Sequence, residues 1–190
     1  MCPDFFNNPV PSFGSLDAPL LIVGLAPGLK GANKTGRPFT GDYAGELLYG
    51  ALNRQGLAVG VYRARADDGL QLHGVRISNA VRCVPPENKP LPVEINTCRP
   101  FLAAEIEAMN RLRTILTLGQ IAHHTAIVTL SLKRTHHAFA HGAEFQISHR
   151  GRPIRLIASY HCSRYNTSTG VLTQAMFENV LASAKKSAGL

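Results

Sequence analysis

Acidic side chains are scarce in this chain of 190 residues, with 12 Asp and Glu against 20 Lys and Arg and a formal charge of +8. That imbalance creates a field that favours a polyanionic partner, although charge alone does not separate such a protein from any basic soluble one. Long apolar runs are also missing. No stretch approaches the roughly 20 residues of a membrane span, and the N-terminus has no basic segment followed by an apolar core, so a cytoplasmic protein is expected. Cysteine is sparse, at four residues, and in the cytoplasm four thiols do not imply disulfides. Neither G-x-x-x-x-G-K-[ST] nor a proper G-x-G-x-x-G is present, which weakens a nucleotide-cofactor reading. There is no internal repeat, low-complexity tract or linker, and 45% hydrophobic content suits one domain with a proper core over residues 1–190.

Short apolar stretches bounded by turn residues or a helix predict strands over 20–23, 75–78, 114–118 and 154–159. Apolar residues at helical spacing predict helices over 44–54, 93–109, 121–129 and 172–185, with a kink or a break at Pro100. Residues 131–151 have no clean period and read as a loop or hairpin excursion. Strands alternating with helices imply a three-layer α/β/α fold around a short, mostly parallel sheet.

The most informative segment joins the first strand to the first long helix. Residues 24–45 are dense in glycine and contain Pro27 and Pro38, a composition that lets backbone N–H groups approach a ligand closely. In open α/β sheets, ligands collect at such strand-to-helix crossings. Over nearly its whole length the segment resembles motif A of the uracil-DNA glycosylase superfamily, closest to the family-5 (type-b) branch, above all in Thr35-Gly-Arg-Pro-Phe-Thr-Gly-Asp42. Two further matches follow in the family's chain order. Ile77-Ser-Asn-Ala-Val-Arg-Cys-Val-Pro-Pro-Glu-Asn88 resembles the strand-end segment that carries a base-reading Asn. Ser159-Tyr-His-Cys-Ser-Arg-Tyr-Asn-Thr-Ser-Thr-Gly170 is similar to motif B, with Cys162 where proline is usual. The resemblance covers about residues 9–180.

The resemblance implies a base-excision repair enzyme that hydrolyses the N-glycosidic bond of uracil in DNA by base flipping and leaves an abasic site. Cleavage releases a pyrimidine anion from a sugar cation, so donors must face the base and negative charge must lie near the sugar. His161 is the candidate donor to uracil O2. Asn79, at a strand end, offers a donor and an acceptor for O4 and N3–H. Phe39 is the candidate stacking surface for the flipped base. The better-known branches carry a carboxylate in the tight turn where this chain has Ala26, so the resemblance moves the catalytic acid to Asp42, a residue equally suited to cap the helix that follows. Gly28 stands where the uracil-specific branch has Tyr, which implies a pocket open to other deaminated or damaged bases.

Lys30, Lys34, Arg37, Arg164, Lys133 and Arg134 are candidates for phosphate contacts, and Ser163 is placed to donate to a phosphate oxygen. Tyr165 is the candidate wedge that fills the gap left by the flipped base. Cys83 and Cys98 match the two downstream ligands of a four-Cys iron–sulfur cluster found in family-4 and family-5 relatives. Those relatives also carry an N-terminal C-x-x-C, where this chain shows Cys2 alone. The expectation is no 4Fe-4S cluster, no other metal or cofactor, and Cys83 and Cys98 as free thiols or packing residues. The expected partner is DNA containing uracil or damaged bases, met by a nucleoid-associated monomer with no membrane contact. One alternative is a catalytically weak module that holds uracil-containing or abasic DNA, suggested by Ala26 and Cys162. Another is a metal-dependent hydrolase built on His123, His124, His136, His137 and His141, which no H-E-x-x-H spacing supports.

Overall fold

A computed structural model describes residues 2–190. Its centre is a five-stranded sheet in the order β4-β1-β5-β7-β6, built from Leu20–Gly24 (β1), Val75–Asn79 (β4), Thr114–Leu118 (β5), Glu144–His149 (β6) and Arg152–Ser159 (β7). The first four strands in that order run parallel, and only β6 is antiparallel to its neighbour. Every residue of β1 and β5 is buried, as expected of parallel strands covered on both faces.

The alternation of side chains along β1 divides the core in two. Leu20 and Ile22 enter one apolar cluster with Leu48, Leu52, Phe177 and Leu181, while Leu21 and Val23 enter another with Leu102, Ile106, Ala122 and Ala126. The first cluster is closed by helices Tyr43–Arg54 (α2) and Gln174–Ala188 (α6), and the second by Pro92–Ala108 (α3) and Gln120–Thr129 (α4). The result is the expected three-layer α/β/α arrangement. Two short helices, Ala32–Thr35 (α1) and Arg164–Ser168 (α5), lie in the loops after β1 and β7.

Side-chain caps fix where the helices begin. Asp42 accepts from Gly45 N–H at the start of α2, and Thr173 accepts from Met176 N–H at the start of α6, so that helix begins later than residue 172. Pro100 lies inside α3 without breaking it. It is exposed, so the carbonyl it leaves without an N–H partner can be hydrated.

The excursion over 131–151 contains the fifth strand, and its period is present though short: Phe145 and Ile147 turn inward while their neighbours do not. Arg150 and Gly151 both have positive φ between the paired His149 and Arg152, the geometry of a two-residue hairpin turn. A small antiparallel pair, Ala58–Val59 (β2) with Gln71–Leu72 (β3), brackets a loop that the sequence pattern does not announce.

The parallel strands end level with one another, Gly24 opposite Asn79 and Leu118 opposite Ser159. β1 sits between β4 and β5, and the chain passes from β1 to α2 on one face of the sheet but from β5 to α4 on the other, which opens a crevice at the C-terminal edge.

Candidate active site

The crevice is built by what Gly24 leaves out. A Cβ on this last residue of β1 would run into Asn79 Oδ1 and Phe39 Cζ. Without one, the end of β4 and the loop before α2 close on the same point. Phe39 holds φ at 54°, a region that bulky side chains rarely visit and that costs about 1–3 kcal/mol. Its neighbours bind the loop on both sides: Tyr49 donates to Pro38 O at 2.6 Å, and Thr35 Oγ1 donates to Thr40 O at 3.0 Å.

Phe39, Asn79 and His161, far apart in the chain, line one narrow slot of about 30 Å³ with Asp42, Ala26 and Gly28. The slot is the inner end of an open cleft of about 490 Å³, whose mouth carries Tyr43, Ser163 and Arg164. The Phe39 and His161 rings lie 6.1 Å apart, inclined by 26°. Asn79 is buried, yet its Oδ1 has no hydrogen-bond partner among the described residues. An unsatisfied buried acceptor costs about 1–3 kcal/mol, and this one lies against Gly24 on a residue that lines the slot.

Asp42 divides its carboxylate between two tasks. Oδ1 accepts from Gly45 N–H at 3.0 Å and caps α2. Oδ2 lies against Gly28 and Gly31, where a Cβ on Gly31 would come within 2.6 Å of it. His161 follows the end of β7, its carbonyl held by Asn166 Nδ2 at 2.7 Å. Burial holds its imidazole below the ordinary value, opposed by the negative charge of Asp42, so the ring is neutral at physiological pH and remains an N–H donor. Cys162, in the usual place of proline, lines neither slot nor cleft. It is fully buried behind His161 and donates its thiol to Ala44 O at 3.6 Å. Burial pushes that thiol far above its ordinary pKa, which leaves it an inert packing residue.

One expected phosphate contact is corrected. Arg37 is buried, and both terminal nitrogens reach the Asp68 carboxylate at 2.7 Å. Its guanidinium lies over the rings of Phe13 and Tyr49, 5.1 and 5.2 Å from their centroids. At 4% exposure it cannot reach a phosphate. Lys34 and Lys30 are exposed beside a neighbouring groove that also carries Arg65. Ser163 caps α5, Arg164 lies over the Tyr43 ring at 5.3 Å, and Tyr165 projects with 74% of its surface exposed. Lys133 is exposed, and Arg134 reaches His124.

The histidines over 123–141 do not converge. His123 places its two ring nitrogens against Thr117 Oγ1 and His137 O, while His141 Nδ1 accepts from Tyr160 N–H. Among the described residues no group of three or more His, Cys, Asp or Glu is placed to hold a metal ion. Burial and, after it, the nearby Cys98 push the Cys83 thiol up, but two thiols with no further ligand among the described residues do not fit a four-ligand iron–sulfur cluster.

An α/β/α sheet with a narrow polar-floored slot at its C-terminal edge, an aromatic wall, an amide, a neutral imidazole and a carboxylate define a site for a flat heterocycle. Residues 11–185 match the model of the uracil DNA glycosylase superfamily. The chain is 44% identical to a type-5 uracil-DNA glycosylase of Thermus thermophilus, over 98% of this chain and 83% of the relative. It is 38% identical to a type-5 uracil-DNA glycosylase of Pyrobaculum aerophilum, over 97% and 79%. A type-4 uracil-DNA glycosylase of Archaeoglobus fulgidus is 32% identical over 82% and 70%. The chain belongs to the uracil DNA glycosylase superfamily.

Proposed function

We propose that this protein is a base-excision repair enzyme that hydrolyses the N-glycosidic bond of uracil in DNA. The observation that carries this reading is the orphaned Asn79 Oδ1 on the floor of a slot walled by Phe39 and His161. Uracil N3–H supplies the donor that Oδ1 lacks, and Asn79 Nδ2 donates to O4. Phe39 stacks on the flipped ring. As the bond to the sugar breaks, charge gathers on O2, where the neutral His161 donates; a positioned donor to developing charge is worth about 2.7–4 kcal/mol. Asp42 Oδ2 stabilises the sugar cation and accepts a proton from the attacking water, whose oxygen bonds to the anomeric carbon.

The open flank at Gly28 and Ala26 supports a pocket that takes other deaminated or damaged bases. Ser163, Arg164 and Lys34 are assigned to phosphates, and the exposed ring of Tyr165 is assigned to the gap in the duplex. The enzyme works as a monomeric single domain, without metal or other cofactor, in the compartment that holds the DNA. The test is incubation with a uracil-containing oligonucleotide in EDTA, followed by alkali. Strand cleavage at the uracil is expected. Tight binding with the base intact would favour a module that only holds damaged DNA, and loss of activity on chelation would overturn the metal-free reading.

A further inference from the structure

The loop between β2 and β3 lines neither slot nor cleft, yet it grips the backbone on both sides of Phe39. Tyr62 Oη accepts from Gly41 N–H at 3.1 Å and donates to Phe39 O at 3.3 Å. Asp68, whose side chain is fully buried, accepts from both terminal nitrogens of Arg37 and from Arg63 and Leu70 N–H at 3.0 Å. Arg37 in turn donates from Nε to Thr40 Oγ1 at 2.8 Å. The two anchors therefore meet the chain at residues 37, 39, 40 and 41, around the one bulky residue of the slot with positive φ. Such a conformation persists only where its surroundings over-determine it.

We propose that Tyr62 and Asp68 are positioning residues that act through Phe39, so that the 60–70 loop braces the aromatic wall of the base slot. The inference rests on the proposed reading of Phe39 as the stacking surface. Removing the brace lets residues 38–41 relax toward negative φ and carries the ring away from His161. Asp68 thus serves as the counter-ion of a buried arginine and, through it, as the anchor of a turn it does not itself enter.

The test uses Tyr62→Phe and Asp68→Asn, each alone and combined with Phe39→Leu, in single-turnover excision from a uracil-containing duplex with 2-aminopurine beside the uracil. Each single variant is expected to lose about tenfold in rate and to show a weakened 2-aminopurine signal for base extrusion, with duplex affinity nearly unchanged. In the Phe39→Leu background neither substitution should cause a further loss, because coupled residues are not additive. Losses that multiply with that of Phe39→Leu, or full activity in the folded variants, would overturn the proposal. If Asp68→Asn fails to fold, Tyr62→Phe, which removes one hydroxyl, decides alone. The Phe39 ring resonances in the NMR spectrum of the free protein must move in Tyr62→Phe; unmoved resonances refute the brace whatever the activity. Absence of uracil release by the unaltered protein would instead refute the proposed function and leave this readout standing.

Discussion

Replacing Asn79 by Leu should stabilise the protein while destroying its activity, and the two effects can be sized from the same atom. Leu matches the branching of Asn but has no polar atoms. Asn79 Oδ1 is buried without a hydrogen-bond partner among the described residues, a burden of about 1–3 kcal/mol that the substitution removes. With part of that gain lost to imperfect packing, a net of about 1 kcal/mol is expected, which for a chain of this size raises Tm by about 2–4 °C. Excision loses both contacts to the base, and a single donor of this kind is worth about 10²–10³-fold. Thermal unfolding and single-turnover release of uracil measure the two terms independently. If Asn79 served only as a turn residue after β4, its amide would be engaged locally and the substitution would destabilise. A fall in Tm, or excision within tenfold of the unaltered protein, would refute the assignment of the orphaned oxygen to a base.

Three other expectations follow from the same geometry. Asp42→Asn keeps a good N-cap acceptor, so Tm should stay within about 2 °C while single-turnover excision falls by at least about 10²-fold; an unchanged rate would remove Asp42 from the chemistry. A Cβ on Gly28 meets nothing closer than Asp42 Oδ2 at 3.5 Å, so Gly28→Tyr should fold, keep uracil excision within about tenfold and lose larger or 5-substituted bases. A panel of damaged bases checks this, and an unchanged ranking would contradict it. Burial holds His123, His124, His141, His149 and His161 below the ordinary imidazole value. Between those lowered values and about 6.5 the unfolded chain binds more protons than the folded one, so stability climbs with pH and is lost on acidification through that window. Tm should fall from pH 7.5 to pH 5.5, whereas excision should stay level from pH 6.5 to 8.5, since a neutral His161 does not depend on a proton that leaves near pH 7; a decline through pH 7 would point to an imidazolium instead.

The parts of this architecture that were legible in the sequence are those with short-range signatures. β1 reads as a buried strand from the unbroken apolar run Leu20-Leu-Ile-Val23, β5 from a short stretch of Ile, Leu and β-branched Thr, and α2 from its period and its capping Asp42. The meeting of Phe39, Asn79 and His161 followed from motif order, because Asn79 ends β4, His161 follows β7 and the loop holding Phe39 leaves β1, three parallel strands of one sheet whose C-terminal ends lie along the same edge. Arg37 was not legible. A basic residue in a glycine-rich loop reads as surface charge, and its partner Asp68 lies 31 residues away in a segment with no periodic signal. Only the folded chain pairs them. The β6 strand was obscured for a different reason, since two inward residues, Phe145 and Ile147, are too few to establish a period amid histidines and polar residues. Cys162 stands in motif B, yet its thiol turns into the core while the preceding His161 turns to the slot.

The glycines of the strand-to-helix loop answer to their neighbours more than to their own backbone. Gly24, Gly31 and Gly45 do not have positive φ; the strand and helix backbone of Gly24 and Gly45 suits any residue, whereas Gly31, at φ −100° and ψ −112°, lies outside the α and β regions. What excludes a side chain at all three is space: a Cβ would meet Asn79 and Phe39 at Gly24, the Asp42 carboxylate at Gly31, and Phe39 O at Gly45. Each missing atom is the room in which a proposed functional group stands. Gly41, with φ at 93°, is the opposite case, a hinge that returns the chain from Phe39 to the α2 cap. The loop therefore encodes two separable demands, close approach at three positions and a reversed backbone at a fourth. Both converge on Phe39, the residue whose own conformation is least favourable, which is why the stabilising contacts of Tyr62, Tyr49 and Arg37 gather there.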